Sequence, residues 1–108
     1  MRLYHNPRCS KSRQALSLMN ESGFEFEEYR YLDLGIHADD LEILSNLENV
    51  IRTADLESNE SIDLSNNIEV ARLIKSNPRV LQRPILIRGE KAVIGRPPEE
   101  IITLLHEA

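Results

Sequence analysis

His5-Asn6-Pro7-Arg8-Cys9-Ser10-Lys11-Ser12-Arg13 is the stretch that decides how this chain folds. The apolar pair Leu3-Tyr4 leads into it, and the helix-forming run Gln14-Ala15-Leu16-Ser17-Leu18-Met19 leads out. The pattern predicts a strand, a loop and then a helix, with Cys9 at or just before the first helical turn. Unpaired N–H groups and the positive end of the helix dipole converge on such a position. A thiolate is stabilised there, so the thiol pKa should fall. The same N–H groups offer a cradle for an anion. Arg8, Lys11 and Arg13 add positive charge around it.

The chain has 108 residues, 41% of them hydrophobic, which fits one globular domain with a modest core. A net charge of -5 argues against nucleic-acid binding through general electrostatics. A single cysteine excludes an internal disulfide and an all-cysteine metal site, and the expectation is no bound metal or cofactor. No apolar run approaches the ~20 residues that span a bilayer. Met1-Arg2 is not followed by the apolar segment of a secretory signal. The expectation is a soluble cytoplasmic protein without a membrane partner, in a compartment where a lone thiol stays reduced.

A helix from about Ser10 to Glu21 should bury Ala15, Leu18 and Met19, with Gly23 closing it in the left-handed region. Phe24-Glu25-Phe26-Glu27 alternates as a strand does, and Tyr29 to Leu32 should continue it. Asp39-Asp40 should open a helix carrying Leu41, Leu44 and Leu47. Val50, Ile51, Ala54 and Leu56 could share one short helix, and Asn59 to Asp63 reads as a loop. Asn66 and Glu69 have capping-box spacing for a helix with Ile68, Ala71 and Ile74, ended by Asn77-Pro78. Ile85 to Ile94 reads as a hairpin around Gly89-Glu90, glycine standing first as a type II′ turn prefers. Pro97 or Pro98 suits the first position of a last helix that buries Ile101, Ile102, Leu104 and Leu105. The order β-α-β, helices, β-β-α implies an α/β fold with a mixed four-stranded sheet. Residues 1–108 read as a single domain with a helical insertion at about 38–77.

A buried structural role is the common fate of a free cysteine, but Arg8, Ser10 and Lys11 around Cys9 fit a reactive thiol better. Ser12 stands where the second cysteine of a Cys-x-x-Cys pair would be, so an adduct on Cys9 needs an outside molecule to resolve it. His5 could act as a general base, lower the thiol pKa, or simply bond loop backbone. Asn6 is expected to order the loop with its side chain. Arg83-Pro84 and Arg96-Pro97 place two arginines at the ends of the hairpin, where a planar guanidinium suits an oxyanion.

The His5–Arg13 motif, Arg83-Pro84-Ile85 and Gly95-Arg96-Pro97-Pro98-Glu99 together resemble the glutaredoxin-coupled arsenate reductases, and more narrowly a shorter branch of that family. The resemblance spans the chain. It implies a thioredoxin-like fold with Pro84 as its cis proline. It implies that Cys9 attacks arsenate to form a thioester, that glutathione as co-substrate displaces it, and that glutaredoxin reduces the mixed disulfide, with release of arsenite. His5 corresponds to a histidine that tunes the thiol. Ser10 and Ser12 belong to the substrate loop. Arg83 and Arg96 correspond to two of three oxyanion-binding arginines. The third belongs in the middle segment, where Arg52 stands about one helical turn early and Leu56-Glu57 occupies the expected site. Either Arg52 serves from a shifted register or fewer cations hold the anion. The alternatives are a glutathione-linked thiol-disulfide exchange enzyme and, in a different class, a redox-responsive regulator that binds RNA polymerase.

Overall fold

The structure is a computed structural model and describes residues 1–56 and 62–106. Four strands form one sheet in the order β2-β1-β3-β4. β1 (Arg2–Tyr4) is central, parallel to β2 (Glu27–Tyr29) and antiparallel to β3 (Ile85–Arg88), which pairs antiparallel with β4 (Lys91–Ile94). Alternation along β1 and β3 divides the core in two. Leu3 and Leu86 face Ala15 and Met19 of α1 (Ser10–Ser22) and Ile101, Leu104 and Leu105 of α5 (Glu100–Leu105). Tyr4, Ile85 and Ile87 face the other way, onto Leu44 of α3 (Leu41–Asn46) and Val70 and Ile74 of α4 (Asn67–Ser76). This is the thioredoxin-like fold, a mixed sheet with helices on both faces.

Local signals placed several elements well. Gly23 closes α1 with φ +78. The Asn66 side chain accepts from the Ile68 and Glu69 N–H groups at the start of α4. Gly89 has φ +61, as the first turn position of a type II′ hairpin requires.

Elsewhere tertiary pairing overrode the pattern. β2 is only three residues long, because β1 has no more backbone to offer it. Its ladder runs from Glu27 N–H on Met1 O to His5 N–H on Tyr29 O. Phe24–Phe26 are therefore not strand, and Tyr31 and Leu32, expected as strand, belong instead to a short helix, α2 (Tyr31–Leu34). There the Leu34 and Gly35 N–H groups reach Arg30 O and Tyr31 O, satisfying backbone that a longer strand would leave unpaired. The expected helix over residues 50–56 is likewise absent. Arg52 N–H bonds Val80 O and Gln82 N–H bonds Val50 O, which holds Val50 and Ile51 extended, and only Thr53–Asp55 form a 3-10 turn. Of the expected 59–63 loop, residues 59–61 lie outside the described residues, and 62 and 63 carry no regular structure.

The buried face of α4 is Val70 and Ile74 with Leu73 beside them, while Ile68 is 71% exposed. Ile68 lies two residues before Val70, about 200° round the helix from it, and so points away from the core. Pro97 and Pro98 precede α5 rather than opening it. Their carbonyls accept from the Glu100 and Ile101 N–H groups, forming the turn that delivers the helix. Asp40 is not an exposed first-turn acid. It is 2% exposed and accepts from Arg2 Nε and Tyr4 Oη, both at 2.8 Å, fastening the helical segment to β1.

Candidate active site

Cys9 occupies the N-cap of α1 with extended backbone (φ -94, ψ 123). The loop holding it is tied at every step. Cys9 N–H donates to Asn6 O at 3.0 Å, and Arg8 N–H donates to Asn6 Oδ1 at 3.0 Å. Arg13 Nη1 reaches back to Pro7 O at 3.0 Å. Asn6 therefore orders the turn through both its carbonyls.

The thiol is partly buried. Burial by itself pushes its pKa up. Hydrogen bonding from the Ser12 and Lys11 amides, with the bonding and charge of the Arg83 guanidinium, outweighs burial and holds the thiol below its ordinary value. Charge-assisted bonds to a thiolate strengthen as the proton leaves, which is why they win.

His5 turns its Nδ1 toward Ser12. It is 2% exposed, and its Nδ1 lies 2.6 Å from Ser12 Oγ, which also accepts from the Asn6 N–H at 2.9 Å. Burial lowers the His5 pKa, chiefly because the site disfavours a charged ring. Burial thus disfavours a positive charge on His5. The ring fixes Ser12, and so the first turn whose amides face the thiol. Ser12 is fully buried and its hydroxyl is engaged in this way, whereas Ser10 is exposed.

The arginines arrive from the hairpin. Both Arg83-Pro84 and Arg96-Pro97 are cis peptides. Arg96 Nε donates to Arg83 O at 3.0 Å, so the two arginines brace each other. Arg83 Nη1 bonds Asp55 Oδ2 at 3.1 Å. Arg52 Nη1 bonds the same carboxylate at 3.2 and 3.3 Å. Arg52 is thus engaged with Asp55, and the order is Arg52, Asp55, Arg83, Cys9. Burial raises the Asp55 pKa, but Arg83 and Arg52 outweigh it and keep the carboxyl below its usual range.

Sequence reasoning missed three participants. Asp55 was readable only as a possible i,i+3 partner of Arg52. Gly95 packs against Pro84 so closely that a Cβ would stand 2.8 Å from Pro84 Cγ. Tyr31 is 1% exposed, stacks on Tyr4 with ring centroids 5.9 Å apart, and its hydroxyl has no hydrogen-bond partner among the described residues. Burial pushes that hydroxyl up to about 12, with Arg83 and Arg96 opposing and Cys9 and Asp55 reinforcing.

A groove of about 470 Å³ opens beside the loop, lined by His5, Asn6, Arg8, Arg30, Asp55 and Arg83 among others. A cleft of about 530 Å³ elsewhere is lined by Asp39, Glu42 and Glu90, a charge that repels anions. Among the described residues, no group of three or more His, Cys, Asp and Glu side chains is placed to hold a metal ion. No helix among them is long and apolar enough to cross a membrane.

These features can be set beside known proteins. The chain is 38% identical over 117 residues to the arsenate reductase of Neisseria meningitidis serogroup A, covering 97% of each chain. The structure of a putative arsenate reductase from Yersinia pestis superposes with a TM-score of 0.71 at 32% identity, covering 94% of this chain and 96% of that one. A more distant likeness, 30% over 113 residues, joins it to the global transcriptional regulator Spx of Streptococcus mutans, over 95% of this chain and 81% of the regulator. The ArsC family itself matches residues 4–104, nearly the whole length, and this chain belongs to that family.

Proposed function

We propose that this protein is an arsenate reductase-like thiol oxidoreductase that uses Cys9 as nucleophile and glutathione with glutaredoxin as the source of electrons. The observation that carries the reading is the thiol itself, held below its ordinary pKa by two backbone amides and one guanidinium. The Cys9 thiolate attacks the arsenic of arsenate. An As–S bond forms, an As–O bond breaks, and the leaving oxygen departs as water after protonation. Arg83 balances the anion's charge, with Arg96 bracing it through the Arg83 carbonyl. Arg52 works indirectly, by anchoring Asp55.

A glutathione thiolate then attacks the Cys9 sulfur. An S–S bond forms and the S–As bond breaks, with its electron pair passing to arsenic. Arsenic falls from the +5 to the +3 state and leaves as arsenite, while the two sulfurs are oxidised to a mixed disulfide. Ser12 cannot resolve that disulfide, so a glutaredoxin thiol attacks the glutathione sulfur and frees Cys9. The neighbouring groove, with Arg8, Arg30 and Arg79 as cations and Asp33 as an anion, complements the two carboxylates and the amine of glutathione.

The test is arsenate-dependent NADPH oxidation coupled through glutaredoxin and glutathione reductase. Wild-type protein should sustain it and Cys9→Ser should abolish it; turnover that survives the substitution removes Cys9 from the mechanism. The similarity to Spx favours a second reading, a polymerase-binding regulator. Ser12 in place of a second cysteine denies that reading a disulfide switch within the loop, and a pull-down that retains RNA polymerase would restore it.

A further inference from the structure

Among the described residues, two buried side-chain polar atoms have no hydrogen-bond partner, Tyr31 Oη and Arg83 Nε. Both carry a hydrogen, and the two side chains act on one another's charge through space. Tyr31 comes from the short helix after β2, and Arg83 from the cis-proline turn before β3. The groups that act on the Tyr31 hydroxyl through space are Arg83, Cys9, Asp55 and Arg96, which are the charged groups of the site and its thiol.

Leaving a buried hydroxyl unpaired costs stability, and phenylalanine would fill the same space without that cost. The ring alone explains the packing on Tyr4. The hydroxyl needs a different explanation, and two unpaired donors that share the charged surroundings of the thiol call for an acceptor. We propose that Tyr31 is a substrate-binding residue, its hydroxyl donating, together with Arg83 Nε–H, to one oxygen of the tetrahedral oxyanion that Cys9 attacks. This deepens the function proposed above and rests on Cys9 being the nucleophile of an anion site.

A neutral donor has a use here that a further cation lacks. Arg83 is already shared with Asp55, so a second carboxylate-free donor fixes the orientation of the anion without drawing in another counter-ion. The hydroxyl stays protonated throughout the pH range of the enzyme, because burial holds it near 12.

The experiment is Tyr31→Phe, read in three ways on the full chain. First, the thermal midpoint should stay at or slightly above that of wild type, since an unpaired hydroxyl is removed and the ring kept. Second, the rate of Cys9 alkylation by iodoacetamide, an uncharged reagent, should be unchanged without anion. Third, the arsenate concentration that protects Cys9 from iodoacetamide should rise about tenfold or more, and the arsenate KM in the coupled assay with it, as befits the loss of a hydrogen bond to a charged group. Unchanged protection in Tyr31→Phe beside a protected wild type overturns the role of Tyr31 and leaves the function standing. No protection of the wild type by arsenate, phosphate or sulfate overturns the anion site, and the proposal with it. A large loss of thermal stability would show that the hydroxyl has a structural partner and would also overturn it.

Discussion

Replacing Gly95 by alanine should damage the site through packing alone. The added Cβ would lie 2.8 Å from Pro84 Cγ and 3.1 Å from Ile101 Cγ2, where ordinary contact begins at 3.4 Å. Relief needs a retreat of about 0.6 Å by Pro84 or by the Gly95 backbone. The backbone is tethered, because Gly95 N–H donates to Pro84 O at 2.8 Å. Pro84 is buried, so the displacement passes to its neighbour Arg83, whose guanidinium faces Cys9. Overpacking of this kind costs about 1–3 kcal/mol, and the thermal midpoint should fall by about 4–8 °C for each kcal/mol. A shift of half an ångström at a reacting group should slow the coupled reaction on the order of tenfold. Gly89→Ala is the control. It strains a positive φ at the far end of the hairpin by about 1–2 kcal/mol, with nothing within 4 Å of the new Cβ, so it should lower stability and spare Cys9. Two results would refute the reasoning: a Gly95→Ala protein with wild-type stability and turnover, or equal loss of activity in both variants.

Three further outcomes follow from named contacts. The alkylation rate of Cys9 should reach half its plateau at a lower pH in native protein than in denaturant, where free cysteine titrates near ~8.5. Because the folded pKa is the lower one, the thiolate contributes stability above the unfolded value, and that contribution disappears as pH falls through the folded value. The stability gap between wild type and Cys9→Ala should therefore close in acid, and a gap independent of pH would count against a tuned thiol. Asp40→Ala should cost about 1–3 kcal/mol in denaturant unfolding, since it removes the acceptor shared by Arg2 Nε and the Tyr4 hydroxyl and leaves a buried gap; no measurable loss would show that the helical segment does not depend on this anchor.

What could be read without coordinates was what neighbours in sequence settle. The N-cap position of Cys9, the left-handed Gly23, the Asn66 cap and the Gly89 turn each depend on residues within one turn, so composition and spacing suffice. The Cys9 loop and the two arginine–proline pairs were legible for the same reason. The lengths of β2 and of the 50–56 segment were not, because each is set by how much partner backbone a distant strand or turn presents.

The sequence by itself therefore determined the βαβ start, the hairpin, and a thiol placed where amides and cations converge. The tertiary structure decided how those cations are used. Arg52 is drawn to Asp55, and Asp55 is shared with Arg83 from 28 residues away. His5 is turned onto Ser12, and burial disfavours its charged form. Tyr31 is buried with its hydroxyl unpaired among the described residues. Charge and hydrogen-bonding capacity can be counted in a sequence, but their pairing depends on which distant groups packing brings within about 3 Å, and burial then fixes which of them ionise.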